Sequence, residues 1–129
     1  MNTLFLHCRP GFEGEVCAEI SDLAARLDVP GYSKAKPGSA CAEFVCNDAA
    51  DCERLMRSVR FNQLIFPRQW ARGRFVELPE SERISVLLEA LADYPVCGSL
   101  WLEVLDTNEG KEVSTFCKKR IQLLNLFLK

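Results

Sequence analysis

The sequence is short of the residues on which most bond-making sites are built. It holds a single histidine, His7, among 129 residues. No second ligand stands at a helical or strand spacing from it, which argues against a local metal motif, and a Cys–His dyad at His7-Cys8 would also need an orienting third group. A lone histidine in an apolar strand is read as a packed residue. No G-x-G-x-x-G, no glycine-rich phosphate loop and no G-x-S-x-G occurs, which removes the signatures of dinucleotide binding, phosphate cradling and serine hydrolysis. The seven cysteines (Cys8, Cys17, Cys41, Cys46, Cys52, Cys97, Cys117) are odd in number and contain no C-x-x-C. That argues against a disulfide framework and for reduced, buried thiols in a cytoplasmic protein. No apolar run approaches the roughly 18 residues of a membrane helix. The apolar start, Leu4 to Leu6, is too short for a signal peptide and has no basic stretch before it. Positive charge is also not in excess. Sixteen Lys and Arg stand against eighteen Asp and Glu, which excludes a non-specific nucleic-acid coat but not a local basic surface.

What is present suits an ordinary globular chain: 48% apolar and 26% charged residues, enough to bury a core without staples. Thr3 to Cys8 reads as a buried strand ended by Arg9-Pro10-Gly11. From Phe12 to Leu27 the period becomes helical, with Val16, Ile20, Leu23 and Leu27 on one face. Glu13, Glu15 and Glu19 fall near the helix start, where the macrodipole favours negative charge; the pairs Glu13/Glu15 and Glu80/Glu82 are read as exposed. Pro30-Gly31 ends the helix. Tyr32 to Lys36 and Ser39 to Cys46 read as strands; the second sets Cys41, Glu43 and Val45 on one side and Ala42, Phe44 and Cys46 on the other. Asn47-Asp48 is a good N-cap pair for a helix with Cys52, Leu55, Met56 and Val59 in its stripe. Leu64-Ile65-Phe66 looks like a fourth strand, with Pro67 beyond it.

This order predicts an α+β fold, a ferredoxin-like βαββαβ domain over residues 1–71. A second segment, 72–129, would hold a strand at Arg74 to Leu78, a helix from Ser81 to Tyr94, a strand from Ser99 to Leu105 and a helical stretch from Gly110. One helix-strand-helix unit does not close a sheet comfortably, so this second domain is expected to be incomplete.

The stretch from Arg54 to Val76 is the most informative. It carries six arginines (Arg54, Arg57, Arg60, Arg68, Arg72, Arg74) and no Asp or Glu, with Phe61, Phe66, Trp70 and Phe75 interleaved. Guanidinium forks suit phosphate oxygens, and aromatic faces can stack on unpaired bases. The competing reading makes the arginines a solvated face and the aromatics core. A second basic cluster is Lys118-Lys119-Arg120. The candidate RNA-binding residues are Arg68, Trp70, Arg72, Arg74, Lys118 and Lys119. No catalytic, cofactor-binding or metal-binding residue emerges.

Three stretches in order resemble the bacterial ribosomal large-subunit RNA methyltransferase M family. They are Cys8-Arg9-Pro10-Gly11-Phe12-Glu13 with Cys17-Ala18-Glu19-Ile20; Leu64-Ile65-Phe66-Pro67-Arg68-Gln69-Trp70; and Glu103-Val104-Leu105-Asp106-Thr107-Asn108-Glu109, followed by Lys111-Glu112 and Phe116-Cys117-Lys118-Lys119. The resemblance implies a ferredoxin-like domain followed by a THUMP-like RNA-binding domain. A Rossmann-like domain would come next, using S-adenosylmethionine to methylate a cytidine 2′-hydroxyl of 23S rRNA. Its catalytic residues would lie beyond this chain. The expected partner is 23S ribosomal RNA, with no membrane and a monomeric state. Residues 120–129 depart from the family pattern, and their apolar run suggests a truncated or frameshifted reading frame. The alternative is a ferredoxin-like interaction or small-ligand module with no nucleic-acid role.

Overall fold

The computed structural model describes residues 1–92, 104, 105 and 107–112. These fall in two compact units, the first running from Met1 to Arg74 and the second taking over at Phe75. The first contains β1 (Thr3–His7), α1 (Glu13–Arg26), β2 (Gly31–Ala35), β3 (Cys41–Cys46), α2 (Ala49–Ser58), a single 3-10 turn (Phe61–Gln63) and β4 (Gln69–Gly73). In the second, α3 covers Arg83–Leu91.

The four strands form one sheet in the order β2-β3-β1-β4, with every neighbouring pair antiparallel. Strands β1 and β2 are therefore parallel with β3 between them, and β3 and β4 are parallel with β1 between them. These are the two split βαβ units of a ferredoxin-like fold. Leu4 pairs with Phe44, and Leu6 with Ala42. These side chains are fully buried, whereas Thr3, Phe5 and His7 on the other side of the strand are only half-buried.

Helix α1 lays Val16, Ile20 and Ala24 on the sheet, and α2 adds Cys52 and Leu55. Asp48 caps α2 by accepting the Asp51 amide at 2.8 Å, as the Asn47-Asp48 pair led one to expect. Gly31 opens β2 opposite Cys46. A Cβ there would lie 2.5 Å from the Val45 carbonyl oxygen and 2.8 Å from the Phe44 ring, so only glycine lets this edge close over the core aromatic.

Two strand expectations are corrected. Leu64-Ile65-Phe66 is not a strand; the fourth strand is Gln69–Gly73. The Leu64 amide bonds back to the Phe61 carbonyl at 3.0 Å. The Ile65 and Phe66 amides are held by the Glu19 carboxylate, at 2.9 to 3.3 Å. Pro67 has no amide to offer. Pairing with β1 begins only at Arg68, whose amide donates to the His7 carbonyl at 2.7 Å. Arg74 to Leu78 is likewise not a strand. The strand expected at Ser99 to Leu105 falls almost wholly outside the described residues, as do Lys118, Lys119 and the tail 120–129.

Candidate nucleic-acid interface

In the acid-free stretch Arg54 and Arg57 lie on α2, Arg72 on the edge strand β4, and Arg68 and Arg74 flank that strand. Arg54 reaches the C-terminal end of α1, donating to the Leu27 and Asp28 carbonyls at 3.2 and 3.0 Å. A cation there satisfies helix-end carbonyls and opposes the dipole. Arg57 pairs with Glu53 one turn away.

Strand β4 lies at the edge of the sheet. Within it Trp70 and Arg72 face the helical side, because their partners on β1 are Leu6 and Leu4. By the two-residue period, Arg68 and Arg74, which flank the strand, fall in the same row. The row Arg68, Trp70, Arg72, Arg74 thus spans about 20 Å at ~3.4 Å per residue. Arg68 and Arg74 are exposed. Arg72 donates to the Ala49 carbonyl at 3.5 Å and lies 3.8 Å from Glu53, so it also ties β4 to α2. Trp70 is half-buried against the core, its ring 5.6 Å from that of Phe61. The reading of aromatics as core therefore describes Phe61, Phe66 and Trp70, whereas Phe75 is 79% exposed.

One feature escaped the sequence reading. A cleft of about 400 Å³ is lined by Arg9, Phe12, Ile65, Phe66, Pro67 and Arg68. It joins the turn after β1 to the turn before β4. The antiparallel register, with His7 opposite Gln69, sets Cys8 against Arg68 and brings Arg9 beside them. Phe12 is 42% exposed and stacks on Phe66 at 6.0 Å, and Ile65 is 80% exposed. The signal was legible only through the correct strand register. A fourth strand placed at Leu64 to Phe66 separates Arg9 from Arg68.

The glutamates near the start of α1 are builders of this region rather than loose charge, which corrects their reading as exposed for Glu13. It is 4% exposed and accepts from the Gly11 amide at 3.0 Å and the Ala40 amide at 2.9 Å. Burial pushes its pKa up, but backbone amides, Ala40 foremost, outweigh that and hold it below the usual carboxylate range. Ala40 has a left-handed φ of 59°, a conformation costly without glycine. The carboxylate holds it there.

The described cysteines are buried or half-buried thiols. Cys8, Cys46 and Cys52 are buried and free, and Cys17 and Cys41 are half-buried and free. Burial drives the Cys41 thiol up to about 11 and Cys46 to about 12, away from the thiolate a reactive cysteine needs. Among the described residues, no three His, Cys, Asp or Glu side chains gather into a metal site, and no helix is long and apolar enough to cross a membrane.

Residues 1–71 match the family model described as the RlmM ferredoxin-like domain. Residues 82–126 match the one described as ribosomal RNA large subunit methyltransferase M, N-terminal. Over 119 residues, 92% of this chain, the chain is 89% identical to the ribosomal RNA large subunit methyltransferase M of Ectopseudomonas mendocina (strain ymp). It is 76% identical to that of Pseudomonas entomophila (strain L48) and 72% to that of Pseudomonas fluorescens (strain Pf0-1), with the same share of this chain covered. The chain spans 33% to 34% of the length of these relatives.

Proposed function

Because the chain belongs to the ribosomal RNA large subunit methyltransferase M family, we propose that it is the RNA-holding part of a 23S rRNA (cytidine 2′-O)-methyltransferase. In this reading residues 1–71 are the ferredoxin-like domain, and 72–129 begin a THUMP-like RNA-binding domain. The protein works in the cytoplasm, where ribosomal RNA is made and assembled.

S-adenosylmethionine would supply the methyl group in the longer protein. In the glycine-lined cleft beside α1 (Gly11, Gly14, Gly38), the Gly11 amide that could meet its carboxylate is already turned onto Glu13. The role supported for the described residues is to bind and orient RNA.

The observation that carries this reading is the edge-strand row of Arg68, Arg72 and Arg74. Phosphate contacts of this kind fix register and orientation, while base contacts carry sequence. An edge strand is also open on one side, so an extended polyanion can run along it without displacing protein. Fluorescence anisotropy with an unstructured RNA oligonucleotide tests the reading. Arg68→Ala and Arg72→Ala should each weaken binding several-fold. Each should also flatten the dependence of log K on log salt by about 0.7 for a single strand. A melting curve guards against the loss of the Arg72 tie to α2. Unchanged binding in both folded variants removes the surface.

A further inference from the structure

We infer that the cleft of Arg9, Phe12, Ile65 and Arg68 takes one unpaired RNA nucleotide, its phosphate on the two guanidinium groups and its base against the Phe12 and Ile65 side chains. The inference rests on the RNA-holding reading and adds to it a site for a base, which the row on β4 does not provide. Trp70, the aromatic that sequence singles out for stacking, packs against Phe61 and the core. Phe12 and Ile65 are the large apolar side chains that stand open between two arginines.

Three observations carry the argument. First, among the described residues the cleft lining contains two arginines and no carboxylate, in a chain whose overall charge is negative. Glu19 of α1 has its oxygens turned onto the Ile65 and Phe66 amides. Glu15, also on α1, is exposed. Second, Ile65 is held outward rather than left loose. The Glu19 carboxylate grips its backbone, and Pro67 follows two residues later, so the apolar surface is set before any ligand arrives. Preorganisation of this kind lowers the cost of binding. Third, the dimensions suit the ligand. About 400 Å³ falls within the roughly 300–1,000 Å³ of small-molecule sites. Base stacking on a side-chain platform beside basic groups is a recurring way to hold single strands.

The test uses the full chain and a 5′-labelled unstructured RNA, alongside the same oligonucleotide with one abasic position. Phe12→Ser and Ile65→Ser should each weaken binding of the intact RNA at least five-fold, with the salt slope unchanged. The abasic RNA should bind the wild-type chain more weakly, and Phe12→Ser should cost it little further, because the stacking partner is already gone. Arg9→Gln with Arg68→Gln should lower the salt slope by about 1.4, two single-strand phosphate contacts. If wild-type RNA binding is strong but indifferent to Phe12→Ser, Ile65→Ser and the abasic position, the nucleotide site is wrong and the β4 row stands alone. If the wild-type chain does not bind RNA, the RNA-holding reading fails and this site with it. Ile65→Ser replaces a side chain that is 80% exposed, so its circular dichroism melt should match the wild type, whereas Phe12→Ser also removes the stack on Phe66 and its binding is compared at a temperature where its melt shows it folded.

Discussion

Glu13 is the residue whose local sequence misleads most. Three glutamates in the opening turns of a helix read as surface charge placed for the dipole, and nothing in their spacing separates one from another. The fold separates them. Glu13 is drawn under the β3 turn by Gly11 and Ala40, two amides from segments 29 residues apart in sequence that meet only once α1 lies on the sheet. Replacing it with glutamine keeps the size but swaps one accepting oxygen for a donor facing backbone amides. Hydrogen bonds to a charged partner are worth about 1.5–3 kcal/mol, so Glu13→Gln should lose about 2 kcal/mol in urea unfolding. The sign with pH follows from the lowered folded pKa. The native state binds fewer protons than the unfolded chain, so stability is full above the ordinary carboxylate range near ~4.3. It is lost as pH falls through the folded value. The glutamine variant should show a flatter acid limb, and an acid limb identical to wild type would mean that Glu13 is not the group responsible.

At the scale of elements, β4 shows how a local competitor displaces a strand. Leu64-Ile65-Phe66 has the right composition for a ladder, but its amides are captured by Glu19 and the 3-10 turn. The sheet therefore waits until after Pro67. That five-residue slip decides which arginines reach the edge strand and which turn meets Arg9. Glu19→Ala should release the turn without unfolding the sheet. Amide hydrogen exchange is expected to speed up at Ile65 and Phe66 while the paired amides of β1 and β3 keep their protection. The global loss should be about 2 kcal/mol, the worth of a hydrogen bond to a charged partner. A uniform rise in exchange across the sheet would instead make Glu19 part of the cooperative core.

For the molecule as a whole, the buried thiols set the alkaline limit. Cys41 and Cys46 titrate near 11 and 12 in the folded chain, and Cys8 and Cys52 are raised as well, in each case mainly by burial. The unfolded thiols ionise near ~8.5. Between those limits the native state holds protons that the unfolded chain gives up, so stability falls as pH rises above that value. The midpoint of thermal unfolding should decline from about pH 9 upward, and Cys46→Ala should flatten part of that decline. Equal slopes in the two proteins would show that Cys46 does not contribute.

Much was settled by sequence alone, because it depends on local pattern. The helical stripes of α1 and α2, the alternation of Cys41 to Cys46, the Asp48 cap and the α+β order all follow from side-chain period and turn chemistry. The acid-free run of arginines is visible as plain composition, and the family from three ordered stretches. Tertiary structure alone decided which of those arginines hold helix ends and which stand along an edge. It decided that Trp70 packs inward, that Glu13 and Glu19 hold turns, and that Arg9 and Arg68 share a cleft. Each of these outcomes depends on strand register and on backbone amides brought together from distant segments. Neither leaves a mark in the spacing of residues along the chain.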